Sequence, residues 1–465
     1  METLNQWITM ANDIIWTYVL IIVLLGCAVW FTIKTKFVQF RMVGEMVRLL
    51  GDSAGKKKGE KHISSFQAFA ISLASRIGTG NLAGVATAIA IGGPGAIFWM
   101  WVIALLGASS AFVESTLAQL YKKRGNEAFY GGPAYYMKKG LRSRKMGVLF
   151  AVLITFTYGF AFNSVQSNTI CAALNNSFDH EHEVVGIILA ALVVLVIFGG
   201  IQRIAKVTSV VVPIMATIYI VLAFGIVLFN ITELPAVIKL IVGCAFGWEQ
   251  AFAGSVGAAL ALGIRRGLFS NEAGMGSAPN AAATATVSHP VKQGLIQSLG
   301  VFTDTLVICS CTAFMILFSG APIDGSISGI ELTQTALTNE IGSFGGDFVA
   351  IAILLFAFAC MLGNSYYGET NIKYITSNKY VLYIYRFMVG YMVFFGAIAS
   401  LELVWNLADI SMALMTACNL TAITLLSRQA LLLLKDYRQQ KKAGIKSPVY
   451  TKDRIPELKE YAECW

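Results

Sequence analysis

Long apolar runs separated by short polar ones dominate this chain. Eleven of them, at 13–33, 66–90, 93–121, 147–172, 184–200, 205–229, 239–264, 293–318, 346–371, 381–399 and 403–427, approach the length needed to cross a bilayer. The pattern predicts an all-α membrane protein with eleven transmembrane helices. Two of the runs are not uniformly apolar. The centre of the run 66–90 reads Ser75, Arg76, Ile77, Gly78, Thr79, Gly80, Asn81, with Gly84 one turn on. In hydrocarbon every backbone N–H and C=O needs a partner, so such an interruption is tolerated only where it is buried in protein or lines a wet cavity. Five runs later, Glu249, Gln250, Ala251, Phe252, Ala253, Gly254, Ser255, Val256 and Gly257 repeat the theme. Broken helices at matching places in two halves mark an inverted-repeat transporter with its site at the midplane. The competing explanation, that Gly254 and Gly257 only let helices pack closely, does not account for the polar residues at both breaks.

Composition agrees with a membrane protein. Of 465 residues 56% are hydrophobic and 13% charged, too apolar for a soluble chain of this length. Lys and Arg crowd the segments 34–62 and 122–145, whereas 173–183 and 319–347 hold acids and no Lys or Arg. Cytoplasmic loops are enriched in Lys and Arg, so the reading is a multi-pass protein of the cell membrane with its N-terminus outside and a basic cytoplasmic tail. The net charge of +9 then reflects topology, not nucleic-acid binding. The first run lacks a basic n-region and is followed by Lys34 and Lys36, which favours a retained helix over a cleaved signal. The expected organisation is 1–62, an extra helix and basic segment; 63–230 and 231–427, two inverted repeats; and 428–465, the tail. None of the cysteines forms a C-x-x-C pair, so disulfide and zinc readings are weak.

Specific motifs narrow the class. Gly78-Thr79-Gly80-Asn81, the run Gly267-Leu268-Phe269-Ser270-Asn271-Glu272-Ala273-Gly274-Met275-Gly276-Ser277-Ala278-Pro279, Gly131-Gly132-Pro133 and Ser365-Tyr366-Tyr367-Gly368-Glu369 resemble the signatures of the alanine/glycine:cation symporter family. The resemblance implies a leucine-transporter-type fold of 5+5 inverted helices with one extra N-terminal helix. It also implies uptake of a small neutral amino acid with sodium as the coupling ion and no other cofactor.

An amino acid presents a carboxylate and an ammonium. Free N–H groups at a half-helix start suit the carboxylate, which points to Gly78, Thr79, Gly80 and Asn81. Unwound carbonyls near Phe252, Gly254 and Ser255 suit the ammonium. Gln166, three residues after Asn163 and on its face, is either a side-chain partner or a helix-to-helix hydrogen bond. By similarity to the fold's sodium site, carbonyls near Ala74 and Ile77 contribute, with hydroxyls from the helix 346–371, where Cys360 holds the candidate position. The family commonly has Ser or Thr where this chain has Ala359 and Cys360, and sulfur is a soft ligand, so proton coupling, or a sodium site built mainly from carbonyls and Asn81, stays open. The family's Gly-Trp is here Gly363-Asn364, which enlarges the pocket and adds a donor and an acceptor. That suggests glutamine or asparagine over alanine or glycine, unless Asn364 packs elsewhere. Arg76, Asp304 and Glu114 are intramembrane charges and so candidates for gating or proton transfer, with Asp304 or Glu272 as partners for Arg76. The signature loop from Ser270 to Ala283 follows Arg265 and Arg266 and is therefore expected inside, below the bundle.

Other classes fit poorly. Gly51-Asp52-Ser53-Ala54-Gly55 matches a nucleophile elbow, but that motif needs a buried strand before it, and Lys56 to Lys58 follow. Gly78 to Gly84 does not fit a dinucleotide fingerprint, and the histidines offer no H-E-x-x-H. A channel is the remaining alternative, though channels usually repeat a filter by oligomeric symmetry.

Overall fold

A computed structural model describes residues 10, 12, 14–52, 63–125, 128–248 and 255–465. Helices run α1 (Ile21–Lys34), α2 (Val43–Leu50), α3 (Ser65–Arg76), α4 (Gly80–Gly92) and α5 (Gly95–Leu120). After a short antiparallel hairpin, β1 (Lys123–Arg124) and β2 (Phe129–Tyr130), come α6 (Pro133–Gly140), α7 (Arg144–Phe178), α8 (His182–Ile197), α9 (Gly200–Phe229) and α10 (Leu234–Ala245). The rest is α11 (Val256–Asn271), α12 (Ala278–Ala282), α13 (Pro290–Phe318), α14 (Gly329–Ile341), α15 (Ser343–Ile375), α16 (Lys379–Ile398) and α17 (Leu401–Lys442). Among the described residues, seven helices are long and apolar enough to cross a membrane: α5, α7, α9, α13, α15, α16 and α17.

Local chemistry sets several starts. A capping box at α3 has Ser64 and Gln67 satisfying each other's backbone N–H. The Ser255 hydroxyl caps α11, and the Asn378 side chain caps α16. Val210, Ile214, Ile218, Val221, Phe224 and Leu228 form an exposed apolar stripe on α9. That much apolar surface on one face is stable against lipid and not against water.

The interior is organised around two interrupted helices that run antiparallel. Thr286 N–H donates to the Ile63 carbonyl at one end. Midway, a Cβ on Gly80 would lie 2.9 Å from Phe269 Cδ1 and 3.2 Å from Ser270 Cα; at the far end, one on Gly92 would lie 3.3 Å from Leu262. One interrupted helix is therefore α3 plus α4. The other is α11 plus α12, with its interruption at Glu272–Ser277. This corrects the placement read from hydropathy: the run 239–264 is not one helix, and Phe252 and Gly254 lie outside the described residues. α5 packs along α11 and α13, while α7 packs along α15 and α16, so the interrupted pair is enclosed.

α17 also exceeds its predicted run, continuing to Lys442 because Leu433, Leu434 and Tyr437 are buried. Residues 443–465 then fold back over the end of the molecule that carries most of the basic residues, here called the basic end. Tyr450 N–H donates to the Ser288 carbonyl, Trp465 Nε1 to the Gln119 carbonyl, and Lys292 pairs with Asp52.

Candidate functional site

The first interruption lies where α3 stops at Ile77, whose φ of −78° and ψ of 101° leave the helix. Gly78 N–H turns to Asn81 Oδ1 (3.0 Å), and Asn81 N–H to the Gly78 carbonyl (3.2 Å). Neither follows the i to i−4 ladder that would occupy the carbonyls of Ala74 and Ile77. Thr79 donates twice to Gln166 Oε1, from its backbone N–H at 2.9 Å and its hydroxyl at 2.7 Å. A Cβ at Gly78 would sit 2.7 Å from that oxygen and 3.1 Å from Cys360 Cβ, so a side chain there would push the Gln166 amide off Thr79 and press on α15.

Asn81 extends the site toward α13. Its Nδ2 donates to Asp304 Oδ1 at 2.7 Å, while Asp304 Oδ2 accepts from the hydroxyls of Ser270 (2.6 Å) and Thr305 (2.9 Å). Asn81, Asp304, Ser270 and Thr305 have no exposed surface. The result is a carboxylate held by three neutral donors, an oxygen-rich cluster suited to a small hard cation or a proton.

Around the other side, the Ser75 hydroxyl lies 2.9 Å from Glu272 Oε1 and 2.8 Å from Asn364 Oδ1. Asn364 Nδ2 reaches Asn163 Oδ1 at 3.2 Å, and Cys360 Sγ donates to the Ser75 carbonyl at 2.9 Å. Asn364 therefore faces the first interruption through Ser75 and belongs to the seam between α3, α7 and α15.

The second interruption needs left-handed backbone at Glu272 (φ 57°), Gly274 (86°) and Gly276 (85°). Glu114 on α5 holds it, accepting from the N–H groups of Gly274 (3.2 Å) and Gly276 (3.1 Å) and from Asn419 Nδ2 (2.8 Å). Above it toward α17, Phe269 packs between Phe162 (4.5 Å between centroids) and Trp405 (4.8 Å). Arg266 lies 4.2 Å over Trp405 and bonds Asp409 at 2.6 Å. These groups form an aromatic and ionic cover on one side of the interruptions.

The sequence candidates thus divide. Gly78, Thr79, Gly80, Asn81, Gln166, Asn364, Cys360, Ala74, Ile77 and Asp304 converge. Ser255 does not: it is exposed at the opposite end of α11, 16 helical residues from the interruption. Of the segment Ser270–Ala283, Ser270 lies against Gly80 of the first interruption, while Ala282 and Ala283 reach Gln119 and Gly131 at the basic end, the side expected for the whole segment. The arginines before it mark no membrane edge, since Arg266 is buried and paired. Arg76 is 2% exposed and pairs with neither Asp304 nor Glu272; Nη1 donates to the Gln297 carbonyl at 3.3 Å. Hydropathy points to none of Phe162, Phe269, Ser270, Thr305 or Trp405. The available signal was the mixture of Gly, Asn and Ser in Gly267–Pro279, which matches that of the first interruption.

A family model described as the sodium:alanine symporter family matches residues 1–452. The probable sodium/glutamine symporter GlnT of Bacillus subtilis (strain 168) is 54% identical over 464 residues, covering 100% of this chain and 96% of that protein. The amino-acid carrier protein AlsT of the same organism is 52% identical over 461 residues, covering 99% and 97%. Among solved structures, MhsT in complex with L-phenylalanine gives a TM-score of 0.56 at 11% identity, covering 82% of this chain and 99% of that one, so the two share a fold.

Proposed function

The chain belongs to the sodium:alanine symporter family, and on that premise we propose that it carries a neutral amino acid, glutamine in preference to alanine, with sodium by alternating access. One observation carries the site: the N-terminus of α4 touches the C-terminus of α11, at Gly80 against Phe269 and Ser270. The positive end of one half-helix and the negative end of the other meet at one point. A zwitterion placed there has donors for its carboxylate at Thr79 to Asn81, where Gln166 Oε1 now sits, and free carbonyls of the last turn of α11 for its ammonium. That last turn takes the role expected of Phe252, Gly254 and Ser255. Asn364 and Asn163 add a polar wall suited to a side-chain amide.

Sodium is carried on carbonyls of Ala74 and Ile77 or on the oxygens of Asn81, Ser270, Asp304 and Thr305. Cys360 contributes no ligand in this reading, its S–H donating to the Ser75 carbonyl. A proton is the second reading, favoured by the isolation of Asp304 among neutral donors. The chain is read as two inverted repeats, 63–230 and 231–427, behind an extra helix, eleven spans in all. The basic end is cytoplasmic, with the N-terminus outside and the 428–465 tail inside.

Proteoliposomes given labelled glutamine, asparagine, alanine and glycine, with a sodium gradient, a proton gradient or neither, test this. Saturable accumulation of glutamine driven by sodium is expected. Flux that neither saturates nor concentrates would overturn it in favour of a channel. In Asn364→Trp the preference should turn toward alanine; an unchanged ranking removes Asn364 from substrate choice.

A further inference from the structure

A second built recess lies away from the interrupted helices, at the basic end. It is a cleft of about 850 Å³ between the β1–β2 hairpin, α6, the last turns of α15 and the first turns of α16. Seven Lys or Arg residues line it and no Asp or Glu does, among the described residues. Glu369 neutralises two of them, Arg386 (2.9 Å) and Lys373 (2.6 Å), and Glu463 pairs with Lys139. Lys123, Arg124, Lys138 and Lys379 make no ion pair among the described residues. Apart from the field of Glu463 at Lys123, no described acid neutralises these four, and cations gathered at one recess repel each other unless an anion joins them.

Its surroundings say which anion. Tyr130, Tyr135 and Tyr374 stack edge to face along one wall, with centroids 5.6 and 5.0 Å apart. At the mouth, Tyr383 stacks on Phe198 at 5.9 Å, and Phe387 meets Phe198 at 5.6 Å. From there an apolar track continues along α16, where Ile384 is 62% and Phe387 63% exposed. A basic recess, an aromatic collar and an exposed apolar track follow one another in the order of a phospholipid's phosphate, glycerol and acyl chains. We propose that this cleft is a binding site for an anionic phospholipid of the leaflet at the basic end, its headgroup phosphate held by Lys123, Arg124, Lys138 and Lys379.

The site reaches the transport machinery through α15. Tyr366 and Thr370 of α15 line the cleft, and Tyr385, next to Arg386, donates its hydroxyl to the Ser365 carbonyl at 2.9 Å, beside Asn364. An occupied cleft fixes the junction of α15 and α16 from the lipid side. The inference stands whether or not the chain carries glutamine.

Native mass spectrometry of the purified full chain, with phosphatidylglycerol or phosphatidylcholine added, tests it directly. The wild type should retain one phosphatidylglycerol in preference to phosphatidylcholine. Combined Arg124→Glu, Lys138→Glu and Lys379→Glu should weaken that retention on the order of a hundredfold. Its melting temperature in phosphatidylcholine should stay close to that of the wild type, because these side chains hold no ion pair among the described residues and only distant ring contacts at 5.9 Å. Lys435→Glu, Arg438→Glu and Lys442→Glu, three reversals on the basic-end extension of α17, should leave retention unchanged. Equal loss in both variants, or no lipid preference in the wild type, would overturn the site. Millimolar glycerol 1-phosphate separates the sources: failure to displace the lipid supports a membrane ligand, and full displacement replaces it with a soluble phosphate.

Discussion

The two helix interruptions face each other but are held by opposite means. The first spans three residues, Ile77 to Thr79, and its freed groups go to the neutral side chains of Asn81 and Gln166. The second spans six, Glu272 to Ser277, turns through three left-handed residues, and is fastened by the Glu114 carboxylate. A neutral amide acceptor contributes modestly and a carboxylate acceptor roughly twice as much. In the function proposed above, the neutral acceptor at Thr79 is the one a ligand carboxylate would replace, whereas the Glu114 bonds to Gly274 and Gly276 keep the end of α11 aimed at it.

Removing Glu114 tests the fixture and should have the largest effect. Glu114→Ala leaves the N–H groups of Gly274 and Gly276 buried without their acceptor, at roughly 1–3 kcal/mol each, and leaves Asn419 Nδ2 with the Gly274 carbonyl alone. A large fall in thermal stability in detergent is expected, with uptake lost; Glu114→Gln, which keeps an acceptor oxygen, should recover part of the stability. If Glu114→Ala melted like wild type, the contrast between the interruptions would collapse. Gly276→Ala comes next. It forces an L side chain into left-handed backbone, about 1–2 kcal/mol, and its Cβ would lie 2.8 Å from Asn419 Cγ and Phe150 Cζ. Reduced stability with substrate affinity nearly intact is expected in binding assays on the folded fraction.

Ser75, in the last turn before the first interruption, has its hydroxyl between Glu272 of the second and Asn364 of α15. Ser75→Ala removes one hydrogen bond and should cost about 0.5–1.5 kcal/mol. If the two interruptions are energetically linked through it, the effects of Ser75→Ala and Glu114→Gln will not add in a double-mutant cycle. Strict additivity would separate them.

The same contrast explains what was legible in the sequence. The all-helical membrane class follows from hydropathy, though seven of the eleven expected spans are matched by helices long and apolar enough among the described residues, and the first interruption stands out because Gly78-Thr79-Gly80-Asn81 falls inside an otherwise apolar run. The second was misplaced for a physical reason. Arg265 and Arg266 look like the edge of a membrane span, but Arg266 is 5% exposed and its charge is met by Asp409, 143 residues away. A hydropathy window cannot see a partner at that distance. Ser255 failed as a site residue on the same account, since moving the interruption by some twenty positions turned it into an exposed helix cap. Likewise, the run after 427 looks like a solvated basic tail. Its packing depends on Tyr437, Tyr450 and Trp465, whose partners lie in distant segments.

Gln166→Glu should act on binding more than on any other property. The new carboxylate keeps an acceptor at the position of Oε1, so the N–H and hydroxyl of Thr79 remain satisfied. These charge-assisted bonds at the start of α4 offset part of the cost of burying the charge, so the folded fraction without substrate should remain sufficient for binding assays. A ligand carboxylate would then have to enter beside a fixed negative charge, with little solvent to screen it. Wild-type protein should be stabilised by saturating glutamine, as any ligand that binds only the folded state stabilises it, and Gln166→Glu should not. Undiminished stabilisation of that variant by glutamine would mean that the carboxylate binds away from Thr79. The first interruption would then be as much a fixture as the second.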